Sequence, residues 1–273
     1  MSQTSSPAVV IHIPHASTVI PPEYRNQFVL SDEDLAGELV RMTDAYTDEL
    51  FALAPEAATT VKFPVSRLVL DPERFEDDQQ ESMASRGMGV IYQRSSLCGP
   101  LRREISGDER EALLTRFYRP HHQALTEAVQ KSLDSHDKCL IIDAHSFGSK
   151  PWPYEPGQTS TLPEICLCTD DFHSPKDLTN IAVDAFKSQG FGVDLNRPFA
   201  GSLVPMRYYQ TNWNVWSIMV EVQRDLYMDE RTGQKTAGFL DTLFKLRSAT
   251  SIFSEKFRVK EHDRPIGSLL NQC

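Results

Sequence analysis

The chain has 273 residues, and its 28 lysines and arginines against 38 aspartates and glutamates give a formal net charge of −10. Hydrophobic residues make up 40% and charged residues 24%, a balance typical of globular proteins and unlike that of disordered or fibrous ones. An acidic chain without a basic cluster argues against nucleic acid as a partner, and no apolar run reaches the roughly 20 residues that a membrane-spanning helix needs.

The N-terminal residues and the cysteines bear on the cellular location. The first ten residues, MSQTSSPAVV, lack the basic region and long apolar stretch of a secretory signal peptide. The five cysteines form no C-x-x-C pair, so they indicate neither a disulfide framework nor a zinc knuckle. We therefore expect a cytoplasmic protein with reduced cysteines, most of them small buried apolar residues.

Apolar runs of strand length alternate along the chain with amphipathic helical stretches. In chain order, the pattern predicts a strand at 8–13, helices at 31–54 and 107–135, strands at 138–146 and 163–170, a helix at 174–190, a strand at 215–223 and a helix at 234–257. The second helix is expected to bend or restart at Pro120. Because the strands are continuously apolar and flanked by helices, the fold class is α/β, with a mostly parallel sheet covered on both faces.

The Pro- and Gly-bearing stretch 148–163 is interpreted as a long ordered loop. Helices and strands continue in kind on both sides of it, which argues against a linker between domains. We therefore expect one domain over residues 1–273, and the sequence leaves open whether this loop closes over a substrate.

Ionisable residues occur at the ends of three predicted strands. His12 and His15 end the first strand, Asp143 and His145 end the strand at 138–146, and Glu221 lies within the apolar run VWSIMVEVQ. In a parallel sheet the carboxyl ends of the strands meet at one edge. Two imidazoles with carboxylates suit a catalytic Zn²⁺, which takes three protein ligands and a water, and a buried glutamate beside that water suits a general base.

Each of these residues also has a purely structural interpretation. His12 alternates with Ile11 and Ile13 and is compatible with a hydrogen-bonded histidine in a buried strand. An Asp-x-His at a strand end can cap the following turn, and Glu221 can form an ion pair with Arg224. Their joint occurrence at three separate strand ends favours the catalytic interpretation.

A series of short motifs, taken in order, resembles the N-formylglutamate amidohydrolase family along nearly the whole chain. The motifs are PHAS at 14–17, TDAY at 43–46, SRLVLDPER at 66–74, YRPHH at 118–122, DAHS at 143–146, NRPFAG at 196–201 and the strand that contains Glu221. Two segments depart from the family pattern: Pro-His-Ser-Gly reads PHAS, and Asp-x-Asn-Arg reads DPER at 71–74. Both departures fall where the substrate is expected, so they bear on substrate identity more than on reaction type.

The resemblance implies a three-layer α/β/α architecture similar to that of the zinc carboxypeptidases, with a mixed sheet. It also implies that His15, Asp44 and His145 hold a Zn²⁺ cofactor and that Glu221 is the catalytic base. The strand-end pattern independently supports His15, His145 and Glu221.

Whether Asp44 can be a metal ligand depends on the course of the first predicted helix. If 31–54 is one straight helix, Asp44 lies opposite the apolar stripe, toward solvent. A break near Thr43 or Asp44 would instead turn this carboxylate into the site. Asp48 and His12 are the alternative third ligands. Asp143 is interpreted as a group that orients a ligand rather than as a ligand.

Arginines and one further histidine are the candidate substrate-binding residues. Guanidinium groups match carboxylates bidentately, and loop arginines suit a site for a dicarboxylic amino acid; the alternative for any one of them is an ordinary surface role. The candidates are Arg67, Arg74, Arg197 and Arg103, and the resemblance adds His122. His136, His173 and His262 lie in polar contexts and are expected to be solvated.

Together these features predict zinc-dependent hydrolysis of the amide bond of a small N-acyl acidic amino acid. The resemblance implies N-formyl-L-glutamate as substrate, formate and L-glutamate as products, and a place in histidine degradation. The net charge does not oppose a small dicarboxylate partner, because salt screens the field of the whole chain within about 8–10 Å. The alternatives are a deacylase or carboxypeptidase-like metalloamidase acting on another N-acyl amino acid or peptide, and a catalytically silent binding domain. The oligomeric state stays open.

Overall fold

The structure is a computed structural model that describes residues 6–153 and 162–259. Within these ranges it has six strands: Val9–Ile13 (β1), Thr59–Lys62 (β2), Cys139–Phe147 (β3), Ile165–Cys168 (β4), Val193–Leu195 (β5) and Val215–Gln223 (β6). The α-helices of the described residues are Asp32–Met42 (α1), Thr47–Leu50 (α2), Gly107–Leu113 (α3), Arg119–His136 (α4), Lys176–Ser188 (α5) and Phe239–Val259 (α6). None of the helices in these ranges is both long and apolar enough to span a bilayer.

The strands form one sheet in the order β2-β1-β3-β6-β4-β5. Strand β4 runs antiparallel to β6, and the other neighbouring pairs are parallel. Helices α5 and α6 pack on one face and α4 on the other, which gives three layers. The predicted α/β fold with a mostly parallel mixed sheet is therefore confirmed. The two strands that the pattern did not predict, β2 and β5, are the edge strands and only four and three residues long.

Side-chain alternation along the central strands assigns each residue to one of the two faces. Val9 and Ile11 of β1 belong to the hydrophobic cluster that includes Phe186 of α5 and Phe253 of α6. Val10 belongs instead to the cluster under α4. Burial on both faces explains why β1 and β3 are continuously apolar in their first halves.

The predicted single helix over 31–54 is wrong, because the helix breaks at Thr43. Helix α1 ends at Met42, Thr43 is extended, and the backbone turns at Tyr46, whose φ is 67°. The backbone N–H of Asp44 donates to the carbonyl of His15 across 3.0 Å. This tertiary hydrogen bond replaces a helical one, and Asp44 is only 1% exposed.

The helix predicted at 107–135 restarts close to Pro120, as expected. A π-helical turn, Leu114–Tyr118, joins α3 to α4, and Pro120 lies in the first turn of α4, directly after the π-helical turn. The last helix begins at Phe239, five residues later than predicted. Residues 154–161 of the predicted loop, His262 and Cys273 lie outside the described residues.

Candidate active site

A cavity of about 770 Å³ opens at the carboxyl ends of β1, β3 and β6, on the face of the sheet that α4 covers. Near the start of these strands that face carries apolar residues, Val10, Ile141 and Val215, which pack with α4. Farther along the same face the strands carry ionisable residues. The alternation that builds the core in the first half of each strand thus turns polar side chains into the cavity in the second half.

The strand register places the predicted residues next to each other. His145 of β3 lies opposite Glu221 of β6, and His12 of β1 lies opposite Asp143 of β3. On the other side of β6, Cys166 of β4 lies opposite Glu221. His15 comes two residues after the end of β1 and is 1% exposed.

The structure brings His15, Asp44 and His145 together. Oδ2 of Asp44 lies 3.5 Å from Nδ1 of His15 and 3.1 Å from Nδ1 of His145, and the centroids of the two imidazole rings are 5.1 Å apart. Nδ1 of His15 is buried and has no hydrogen-bond partner. A buried nitrogen lone pair beside a carboxylate and a second imidazole fits a divalent metal ion of the zinc type.

Carboxylates on the far side of each ring orient the two histidines. Nε2–H of His15 donates to Oδ1 of Asp71 across 2.8 Å, and Nε2–H of His145 lies 3.2 Å from Oδ1 of Asp143. Nδ1 of both rings faces Asp44, so a tautomer with the protons on Nε2 would offer both Nδ1 lone pairs to a metal ion. Such carboxylate–histidine pairs are characteristic of the groups that support metal ligands, and Asp143 lies where that role was predicted.

Asp44 is held in place by Arg224. Nη2 of Arg224 donates to Oδ1 of Asp44 across 2.8 Å and to the carbonyl of Ser146 across 3.1 Å. Burial alone raises the pKa of Asp44, but its contacts with His145 and His15 and the charge of Arg224 outweigh it and hold the pKa well below its usual value. Arg224, the alternative ion-pair partner of Glu221, forms its ion pair at 2.8 Å with Asp44, and its charge also acts to lower the pKa of Glu221.

Glu221 is a buried carboxyl group with one oxygen that has no hydrogen-bond partner. It is 7% exposed, and its Oε2 has no partner. Burial raises the pKa of Glu221 to about 8, against the opposing effect of His145. A carboxyl group with a pKa in this range can accept and return a proton near neutral pH, which is the property a general base needs.

Two of the four predicted substrate arginines line the cavity. Arg67 donates to Oδ2 of Asp71 across 2.8 Å and to the hydroxyl of Tyr92 across 3.1 Å. Nε of Arg74 lies 3.8 Å from Oδ2 of Asp71 and has no hydrogen-bond partner. His122 also lines the cavity, and its Nε2 is 2.8 Å from the carbonyl of Pro72.

The other two predicted arginines, Arg103 and Arg197, are not among the residues that line the cavity. The exposed Arg103 side chain donates to Glu109 across 2.6 Å, and Nε of Arg197, also exposed, donates to Asp194 across 2.9 Å. We therefore correct their assignment as substrate ligands. Local carboxylates direct both guanidinium groups along the surface, and a loop position in the sequence did not reveal this.

Two further predictions about single residues need correction, and one stays open. Asp48 forms an ion pair with Lys62 at 2.5 Å and is not among the residues that line the cavity. His12 is hydrogen-bonded at 2.8 Å both to Asp143 and to Nε2 of His121, as in its structural interpretation, but ligating atoms of His12, Glu73 and Asp143 also lie within 4.8 Å of one another, so its role as an alternative metal ligand stays a prediction. His173 is buried instead of solvated, and its Nδ1 donates to the carbonyl of Val215 across 2.7 Å.

Two residues of the DPER segment, Asp71 and Glu73, were not predicted as site residues. Oε2 of Glu73 lies 3.1 Å from Nε2 of His145, and its Oε1 lies 3.6 Å from Nδ1 of His12. Ligating atoms of His15, Glu73 and His145 all lie within 4.8 Å of one another. The sequence does contain a signal for both residues, because two acidic side chains follow the apolar run 68–70. The same pattern, ionisable residues after an apolar run, identified the candidates at the strand ends.

Comparison with known proteins agrees with this architecture. The family model of N-formylglutamate amidohydrolase matches residues 7–228. The crystal structure of N-formylglutamate amidohydrolase from Ralstonia eutropha JMP134 superimposes with a TM-score of 0.80 at 23% identity, over 93% of this chain and 95% of that one. A gene product of Agrobacterium tumefaciens superimposes with a TM-score of 0.60 at 18% identity, over 93% and 94% of the two chains.

A search of curated proteins finds no significant match. The solved structures, at identities below 25%, establish the shared fold. The family model adds the sequence evidence, because its match covers most of the chain and includes the strands and loops that build the cavity. The chain belongs to the N-formylglutamate amidohydrolase family.

Proposed function

We propose that this amidohydrolase is zinc-dependent and hydrolyses the amide bond of a small N-acyl amino acid. The observation that carries the proposal is the convergence of Nδ1 of His15, Oδ2 of Asp44 and Nδ1 of His145, with carboxylates at both Nε2 positions. Three ligands of this kind leave one tetrahedral position for water or substrate, as in catalytic zinc sites.

His15, Asp44 and His145 would hold the ion. When bound, the ion supplies Lewis-acid polarisation of the scissile carbonyl and lowers the pKa of a water toward about 7. Glu221, opposite His145 in the sheet, takes the proton of the attacking water and returns it to the leaving nitrogen. Asp143 and Asp71 keep the imidazole rings in the required orientation throughout.

The substrate that the family suggests is N-formyl-L-glutamate, with formate and L-glutamate as products. Arg67 and Arg74 are the cavity arginines that support binding of a substrate carboxylate. A cytoplasmic location, a role in histidine degradation and a single domain over 1–273 stay predictions. A metalloamidase for another N-acyl amino acid is the second candidate. The observation that favours it is the carboxylate of Glu73 in the cavity lining.

The test combines metal analysis with a formate-release assay. We expect about one zinc per chain in the wild-type protein, and in Glu221→Gln the same zinc content with turnover lower by about 10²–10⁴-fold. Glu127→Gln is the control, because it makes the same change at an exposed position of α4 outside the cavity lining.

The possible outcomes separate the candidates. A metal-free protein, or full turnover in Glu221→Gln, would contradict the mechanism. Release of acetate or succinate instead of formate from a panel of N-acyl amino acids would favour the second candidate. Zinc binding without turnover of any N-acyl amino acid would favour a silent binding domain.

A further inference from the structure

The cavity contains an unusual share of unpartnered polar atoms. Among the described residues, eight buried side-chain atoms have no hydrogen-bond partner, and four of them belong to residues that line the cavity. These four are Nδ1 of His15, Oε2 of Glu221, Nε of Arg74 and Oε1 of Glu73. Buried polar atoms without partners are unfavourable, and in a native protein each calls for an explanation. The proposed reaction explains the first two and leaves Arg74 and Glu73.

Glu73 contacts only groups that another carboxylate already binds. Its ion-pair partners are His12, at 3.6 Å, and His145, at 3.1 Å. The same two imidazole nitrogens lie 2.8 and 3.2 Å from Oδ1 of Asp143. The side chain is 15% exposed and lines the cavity, so its negative charge acts on whatever the cavity holds.

The arginines of the cavity wall are already matched by carboxylates. Arg224 binds Asp44, Arg41 binds Glu38, and Arg67 and Arg74 share Asp71. Four further carboxylates line the cavity: Glu73, Glu81, Asp143 and Glu221. Nε of Arg74 is a buried arginine donor without a hydrogen-bond partner and can bind one substrate carboxylate, whereas Glu73 adds an unmatched negative charge to the same cavity.

We propose that Glu73 determines specificity and selects a substrate with one carboxylate and a neutral hydrogen-bond donor, such as a side-chain carboxamide. The inference rests on the proposed amide hydrolysis and narrows its substrate class. Nε of Arg74 donates to the single carboxylate, and the carboxylate of Glu73 accepts an N–H of the carboxamide. A second substrate carboxylate at this place would meet the like charge of Glu73 in a half-buried position, where such charges repel strongly.

N-formyl-L-glutamine and N-formyl-L-glutamate form a matched pair for the test, because they have the same shape and differ in one charge and one donor. With the full, zinc-loaded chain we expect kcat/KM at least tenfold higher for the glutamine compound. Glu73→Gln should reduce this preference at least tenfold while the zinc content stays unchanged. Glu127→Gln, at an exposed position of α4 outside the cavity lining, should leave the preference as in the wild type.

A wild-type preference for the glutamate compound, or equal rates for both, would overturn the proposal. So would an unchanged preference in a zinc-loaded Glu73→Gln protein. If neither compound is hydrolysed, the proposed function fails, and the specificity proposal is then decided by calorimetry with free glutamine and glutamate. Tighter binding of glutamine to the wild-type protein supports it, and equal or tighter binding of glutamate contradicts it. If Glu73→Gln does not fold, the comparison of the two compounds with the wild-type protein decides the proposal.

Discussion

Oδ1 of Asp71 accepts a hydrogen bond from Nε2–H of His15 across 2.8 Å, while Nδ1 of the same ring faces Asp44. The two residues are 56 positions apart in the sequence, and their contact joins the loop after β2 to the end of β1. Asp71 also accepts from Arg67 and Tyr92. One buried carboxylate thus links the candidate metal position to the arginines of the cavity wall.

The first prediction concerns this contact. Asp71→Asn should lower zinc affinity by about 10–100-fold, because the ring loses the anionic acceptor that orients it and increases its basicity. Competition with a chromophoric chelator measures the change. Asp77→Asn, an exposed position in the same segment, is the control. Equal affinity in the Asp71 variant and the wild type would show that His15 is not held as a metal ligand.

The second prediction distinguishes Asp44 from its near neighbour Asp48. Asp44→Asn removes the carboxylate that faces both imidazoles, so we expect loss of most bound zinc by elemental analysis after dialysis. Asp48→Asn removes an ion pair with Lys62 on the surface, away from the cavity lining, and should retain the metal. The prediction is wrong if both variants keep the same zinc content.

The third prediction follows from the raised pKa of Glu221. In protein freed of metal, the folded state keeps a proton on Glu221 up to about pH 8, whereas the unfolded chain releases it near the ordinary value of 4.5. Between these two pH values the folded state binds one proton more than the unfolded chain. The free energy of unfolding therefore falls as the pH rises from 4.5 to about 8, at a slope of about 1.4 kcal/mol per pH unit.

Urea unfolding between pH 5 and pH 8 measures this effect. Over that range the free energy of unfolding of the metal-free wild type should fall more steeply than that of Glu221→Gln, which has no carboxyl group to titrate. Titrating groups that do not interact with Glu221 are common to both proteins and cancel in the comparison. Parallel pH profiles for the two proteins would contradict a raised pKa at Glu221.

The fourth prediction compares arginines inside and outside the cavity. Arg74→Ala should raise KM about tenfold or more, because a charge-assisted hydrogen bond to a substrate carboxylate contributes about 1.5–3 kcal/mol. Arg103→Ala removes surface contacts with Glu109 and with the carbonyl of Glu104, outside the cavity lining, and should change KM less than twofold. Steady-state kinetics on whichever N-formyl amino acid is turned over decides between them. A similar KM in all three proteins would remove Arg74 from the binding site.

Local pattern alone was sufficient for the central elements. The continuous apolar runs of β3 and β6 predicted buried strands, and β6 has the predicted bounds, Val215–Gln223. His15, His145 and Glu221 stand out in the sequence because a charged or ionisable residue at the end of an apolar strand is energetically unfavourable without a function or a partner. Such features depend on a few consecutive residues, so the sequence itself contains them.

Only the tertiary structure decided which carboxylates and arginines share the cavity. Helical periodicity directed Asp44 toward solvent, but a backbone hydrogen bond to His15 and an ion pair with Arg224 break the helix there and turn Asp44 inward. Arg74 and Arg197 both lie in loops, and the position of a nearby carboxylate separates the cavity residue from the surface one. Ion pairs between distant segments are set by packing geometry, and a periodic pattern contains no record of that geometry.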